Sequence, residues 1–146
     1  MRVEEGENLQ KDLAQRIDAI ENHAAEIESR HPEVIKEYQE KLNERIKTLN
    51  EGVGLDETRL AQEAALLADR SDVTEEMTRL KSHLNQFRNF FNANEPIGRK
   101  LEFITQEINR EVNTTGSKSS DIIISNRVIE MKSELEKIRE QVQNIE

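Results

Sequence analysis

The chain has 146 residues, a net charge of −9, 34% apolar and 35% charged side chains, and a length for which one domain is the default. Its 3% aromatic content is thin for a broad globular core and normal for long amphipathic helices. The absence of cysteine excludes disulfides and thiolate metal sites, and no apolar run reaches the ~18 residues of a membrane span.

The opening segment, Met1–Glu7, is acidic and lacks the apolar core of a signal peptide, so the expected compartment is the cytoplasm. Leu9, Leu13, Ile17, Ile20, Ala24 and Ile27 recur at 4-4-3-4-3 spacing, which predicts a long amphipathic helix and argues against disorder. His31-Pro32 reads as a break, because proline disfavours the helical conformation at the preceding residue. Ile35, Tyr38, Leu42, Ile46 and Leu49 resume the pattern, and the two segments together predict an antiparallel hairpin over residues 1–53. Asn50–Gly54 reads as a loop, with two glycines as punctuation. The second unit, 54–146, begins with a helix capped by Asp56 and carrying Leu60, Ala64 and Leu67. Asp72 followed by Glu75 is close to a capping box and predicts a break near 70–72. Val73, Met77, Leu80, Leu84, Phe87 and Phe91 then form one apolar face. Asn92–Pro96 reads as a loop, with Pro96 suited to the first turn of the next helix. That helix carries Leu101, Ile104, Ile108 and Val112, and Gly116 is placed to end it in a left-handed conformation. From near Asp121, Ile124, Val128, Met131, Leu135, Ile138, Val142 and Ile145 alternate 4 and 3, a seam for packing on one or two helices. The predicted fold class is therefore all-α: long antiparallel amphipathic helices in hairpins or a bundle, with no sheet.

Charge is unevenly placed. Residues 1–73 hold 18 acidic and 10 basic side chains, a net −8, and residues 74–146 hold 12 and 11, a net −1. An RNA partner would avoid the first half and tolerate the second. On the 98–118 helix, Gln106, Asn109, Arg110, Asn113 and Ser117 share a stripe of roughly 100° opposite the apolar face. Solvated helix faces favour Glu and Lys over Asn. Amides are two-way hydrogen-bonding groups, so this stripe points to a face read by another domain, a subunit or a nucleic acid.

Two further clusters have the residue types for phosphodiester chemistry. Asp72, Glu76, Arg79 and His83 fall within roughly 60° on one helix. Carboxylates and imidazole can hold Mn²⁺ or Mg²⁺, and arginine can stabilise charge on a phosphoryl group. The same residues also fit a cap, an intrahelical ion pair and a subunit contact, and their spacing is not a recognised metal motif. Glu107 and Glu111 lie one turn apart and repel unless a positive group is near; Arg110 and Lys118 are the local candidates for salt bridges or phosphate contacts. The 113–118 segment is predicted as a C-capping loop rather than a phosphate cradle, since the Gly-x-x-x-x-Gly-Lys spacing is absent. His23 and His31 have no evident partner, and no nucleophile elbow supports Ser/His/Asp chemistry.

Several blocks carry a family resemblance. Gly98–Leu101, Gln106-Glu107, Asn109–Glu111, Asn113-Thr114 and Gly116–Lys118 resemble the signature of the bacterial YicC/YloC family. Ala68–Glu76 with Arg79–His83, the ending Arg139–Glu146, and Met1-Arg2 with Glu5-Gly6 and Leu9 agree with it. Glu102 departs from the aspartate usual there, and the Ile, Thr and Val choices at 104, 105, 108 and 112 are conservative. The resemblance covers only the C-terminal half of the family, so the chain is expected to be a fragment, inactive by itself. It implies a metal-dependent (Mn or Mg) endoribonuclease that assembles as a hexamer, acting on RNA rather than DNA and away from membranes. On that basis the candidate catalytic set is Glu76, Arg79, His83, Glu107, Arg110 and Glu111. Asp72, Glu76 and His83 are the candidate metal ligands. Arg99, Lys100, Gln106, Asn109, Asn113, Ser117 and Lys118 are the candidate RNA or subunit contacts. The alternatives are an oligomerisation module without catalytic residues, supported by the heptads, and an adaptor that binds a protein through the amide stripe.

Overall fold

The computed structural model describes residues 2–49, 56–91 and 98–145. Among them are five α-helices and no strand: α1 (Arg2–Leu49), α2 (Glu57–Ser71), α3 (Thr74–Phe91), α4 (Gly98–Lys118) and α5 (Ile122–Ile145). The all-α expectation holds. The expected loops at 50–54 and 92–96, the role of Pro96 and the 53/54 boundary lie outside the described residues, as does the side chain of Phe91.

Four helices form an up-and-down bundle: α1 packs on α5 and α3, and α4 packs on α3 and α5. Cross-helix pairs show that neighbours are antiparallel. Along α1 and α5 the order is Asp12 with Gln141, Arg16 with Glu134, and Arg30 with Asp121. Along α1 and α3 it is Glu21 with Arg88, then Glu28 with Lys81. The predicted apolar stripes converge in one core. Leu13, Ile17, Ile20 and Ile27 of α1 meet Leu80, Leu84 and Phe87 of α3, Leu101 and Ile108 of α4, and Ile124, Met131 and Ile138 of α5. All of these side chains are fully buried. The heptad seam of α5 is therefore filled within the chain. Core-facing hydroxyls bond their own helices, as when Thr105 Oγ1 donates to the Leu101 carbonyl at 2.6 Å and Thr115 Oγ1 to the Glu111 carbonyl at 2.8 Å.

The predicted break at Pro32 does not occur, and α1 runs unbroken for 48 residues. Proline removes one N–H and crowds the carbonyl four residues back, a cost of about 3 kcal/mol in a helix interior. Bonds made by the two residues before Pro32 offset it. The Arg30 guanidinium reaches forward to Glu37 at 2.8 Å and across to Asp121 at 3.0 Å, and His31 Nε2 meets Ser71 Oγ at 3.1 Å. His31 thus has a partner, Ser71, that lies 40 residues away in sequence. The hairpin predicted within 1–53 is corrected as well: α1 turns back on nothing before Leu49. Its later part is accompanied by α2 instead, with Leu60 and Ala61 beside Gln39 and Asn43.

Asp56 caps α2, accepting from the Arg59 backbone N–H at 3.2 Å. The break at 70–72 is present, and Asp72 Oδ1 accepts from the Thr74 backbone N–H at 2.9 Å and from its hydroxyl. These two bonds hold the Asp72 carboxyl below its usual range. The reciprocal half of a capping box is replaced, since Glu75 pairs with Arg79. Asp121 caps α5, accepting from the Ile124 backbone N–H at 3.1 Å.

Gly116 differs from its expected role. α4 continues through it to Lys118, so residues 113–118 are helix and not loop. Glycine is required there by proximity: a Cβ on Gly116 would stand 3.0 Å from Val128 Cγ1. The missing side chain lets α4 and α5 approach closely just before the turn that joins them.

Candidate functional site

The structure gathers most of the predicted α3 stripe at the joint between α3 and α4. Glu76 is 2% exposed. Its Oε1 takes the Lys118 ammonium at 2.5 Å, and the same ammonium donates to the Asp72 carbonyl at 3.2 Å. Burial alone would raise the Glu76 carboxyl, but the hydrogen bond and charge of Lys118 outweigh it and the pKa falls below the ordinary glutamate value. Oε2 of Glu76 is buried with no hydrogen-bond partner among the described residues. Three residues further along α3, Arg79 Nε donates to Glu111 Oε1 at 3.0 Å, and Glu111 is itself buried. These bonds raise the Arg79 guanidinium, through Glu111 first and Glu75 after it. The sequence expects Lys118 to answer the Glu107–Glu111 repulsion; it answers Glu76 instead, and Arg79 answers Glu111.

His83 stands apart from these pairs. It is half-buried, and its Nδ1 lies 3.3 Å from Gln86 Oε1. The candidate metal set of Asp72, Glu76 and His83 does not fit a divalent cation. Asp72 is spent on its cap, one Glu76 oxygen is held by an ammonium that a metal ion would repel, and His83 faces a different neighbour. Among the described residues no group of three His, Asp or Glu side chains comes together for a metal.

The amide stripe is placed as predicted. Gln106, Asn109, Arg110, Asn113 and Ser117 are all exposed, while the opposite side of α4 is in the core. Arg99 and Lys100 are exposed at the start of the same helix, and Lys100 Nζ lies 5.7 Å from the Phe90 ring centroid. Arg99 and Arg110 take part in no ion pair among the described residues, in contrast to Arg16, Arg30, Arg79 and Arg88. Glu107 is half-buried at the α3 edge of this face and is not joined to the Glu76 or Glu111 pairs.

Sequence reasoning missed a groove of about 350 Å³ between α4 and α5, where Gln106 and Asn109 face Lys132, Arg139 and Gln143. The signal lay in two blocks of the sequence: the 106–109 signature and the 139–146 ending are far apart along the chain, and antiparallel packing of α4 on α5 brings them together.

Residues 27–146 match the family described as "Endoribonuclease YicC-like, C-terminal". A probable endoribonuclease YicC of Clostridioides difficile is 55% identical over 147 aligned residues, which cover 100% of this chain and 50% of that protein. A probable endoribonuclease YicC of Haemophilus influenzae is 40% identical over 146 residues, again 100% of the chain and 50% of that protein. The chain spans about half the length of these relatives.

Proposed function

The chain belongs to the YicC-like endoribonuclease family, and from that membership we propose that it is the helical half of an RNA-cleaving enzyme whose RNA-contacting surface is the outer face of α4. The observation that carries this reading is the exposed stripe of Gln106, Asn109, Arg110, Asn113 and Ser117 on a helix whose other side is locked into the core. A rigid helix presents such groups at fixed spacing. Amides offer paired donors and acceptors, and a guanidinium without an ion partner among the described residues is available for a bidentate bond to phosphate. The face lies in the half of the chain whose net charge is close to zero, away from the acidic α1.

Glu76, Arg79, Glu111 and Lys118 are positioning residues in this reading. Each spends its charge on the other helix, and together they set the register of α4 against α3. No step of the proposed role passes through a metal held by Asp72, Glu76 and His83, because those side chains do not offer a ligand set.

The test is cleavage of a short structured RNA by the protein extended to its relatives' full length. Arg110→Lys and Asn109→Leu should lower cleavage by about tenfold or more, equivalent to ~1.4 kcal/mol. Helix content and melting should be unchanged, since exposed substitutions usually cost within about 0.5 kcal/mol. Full cleavage by both variants would sink the reading.

A second role, assembly into oligomers, is favoured by one observation. Ile122 and Ile129, seven residues apart on the outer side of α5, are 75% and 62% exposed.

A further inference from the structure

We infer that the α4–α5 groove, together with Phe103 on the adjoining face of α4, is a binding site for an unpaired nucleobase of single-stranded RNA. The inference deepens the RNA-contacting role proposed above and rests on it.

Three observations converge. The first is the lining of the groove. Gln106 and Asn109 stand one turn apart on α4, and Gln143 faces them from α5. Each amide presents a donor and an acceptor side by side, the pattern needed to meet the hydrogen-bonding edge of a base. The second is charge. The groove contains Lys132 and Arg139, but also Glu102 and Glu136, and Arg139 Nη2 is engaged by Glu136 Oε1 at 2.8 Å. Two cations against two anions leave the groove near neutral, which suits an uncharged base better than a phosphate. Its volume of about 350 Å³ lies at the lower end of small-ligand sites, roughly 300–1,000 Å³.

The third observation is Phe103. It is 59% exposed, unlike Phe87, which is fully buried in the core. On α4 it follows Arg99 by four residues and precedes Arg110 by seven, so the ring and both guanidiniums share one side of the helix. Gln106, three residues on, connects that side to the groove. An exposed aromatic ring between two arginines without ion partners among the described residues is the arrangement that stacks a base and holds the phosphates on either side of it. A base must be unstacked to use such a ring, so the site distinguishes single strands from duplex.

The chain contains no tryptophan, so Phe103→Trp supplies a single fluorescent reporter at the proposed stacking position. The probes are a single-stranded octaribonucleotide of uridine or adenosine and a blunt-ended RNA duplex with no unpaired base, each also followed by fluorescence anisotropy of an end label. Ile129→Trp, in a separate variant, serves as a control on the outer side of α5. The expected result is saturable quenching of the Phe103→Trp variant by the single strand, with half-saturation below about 1 mM. The duplex should quench it little, and neither RNA should quench the Ile129→Trp variant. Phe103→Leu should weaken single-strand binding roughly five- to 150-fold, the value of one stacked base. Asn109→Leu should weaken it without changing the melting temperature. If RNA binds by anisotropy and depends on Arg110 while the Phe103→Trp emission stays unmoved, the nucleobase site is overturned and the RNA-contacting face stands. If neither probe binds, both fall. If the emission of Phe103→Trp shifts with protein concentration in the absence of RNA, the face is a subunit contact, and the inference is again overturned.

Discussion

At the scale of single residues, the Glu76–Lys118 pair decides how the family signature is held. Glu76 is almost entirely enclosed while Lys118 keeps about a third of its side chain in solvent, with relative exposures of 3% and 35%. Removing the lysine strands a carboxylate inside the α3–α4 joint. Breaking a fully buried pair costs about 3–5 kcal/mol, and the open side of Lys118 lowers that expectation to about 2 kcal/mol. Lys118→Met should therefore destabilise the chain by about 2 kcal/mol in urea unfolding. Glu76→Gln combined with it should recover part of the loss, because the stranded charge is gone. A Lys118→Met variant as stable as the parent would show the pair to be ornamental. The same carboxylate gives the protein an acid limb. The folded pKa of Glu76 lies below its unfolded value, so its contribution is complete above about pH 4.3 and fades as pH falls through the folded value. Asp121 acts in the same direction, lowered chiefly by Arg30. Stability measured from about pH 6 down to about pH 2 should decline, and the decline should be shallower in Glu76→Gln.

At the scale of elements, two helices carry residues that break local rules, and each has a different reason. Gly116 is the contact point of α4 with α5. Alanine there gains about 1 kcal/mol of helix propensity, yet its Cβ would press on Val128, which is 5% exposed and has little room to yield. Overpacking of this kind costs about 1–3 kcal/mol, so Gly116→Ala should be net destabilising. Val128→Ala in the same chain should remove the clash, which makes the two changes strongly non-additive in a double-mutant cycle. Pro32 is the opposite case. It is exposed and makes no room for a neighbour, so Pro32→Ala restores an N–H without adding a contact. Thermal unfolding of that variant should move upward, by as much as ~3 kcal/mol in stability. A decrease would mean that Pro32 bends α1 in a way that α2 and the Arg30 network need.

At the scale of the whole molecule, the distribution of apolar surface bears on assembly. The 4-3 repeats that suggest open seams are filled by α1, α3, α4 and α5 packing on one another. What remains outside among the described residues is scattered: Ile122, Ile123 and Ile129 on α5, Tyr38 and Leu49 on α1, Phe103 on α4 and Leu66 on α2. If self-association uses the outer side of α5, Ile129→Glu should shift sedimentation at tens of micromolar, a rough working range for modest affinities, toward the monomer without lowering the melting temperature. A parent chain that is already strictly monomeric there would leave assembly to parts of the family outside this half.

How much of this was legible in the sequence depended on the range of the forces involved. Periodicity alone placed the buried faces of α1, α3, α4 and α5, because a helix needs only its own 3.6-residue turn to sort apolar from polar side chains. Asp56, Asp72 and Asp121 announced helix starts for the same reason, since a cap bonds a backbone N–H two or three residues away. The exposed amide stripe followed from the same geometry. The continuity of α1 through Pro32 did not, because the local cost of proline is offset by Arg30 reaching Asp121, 91 residues away in sequence. Gly116 reads as a terminus in the sequence because its reason, Val128, sits on the next helix. The carboxylates of Glu76 and Glu111 look catalytic or metal-binding while their partners are unknown, and only the antiparallel packing of α4 on α3 delivers Lys118 and Arg79 to them. Local residue order determined the helices and their faces. Tertiary structure decided which charges neutralise one another, which glycine is a contact, and which two distant sequence blocks share a groove, because each of those outcomes is a through-space pairing between helices.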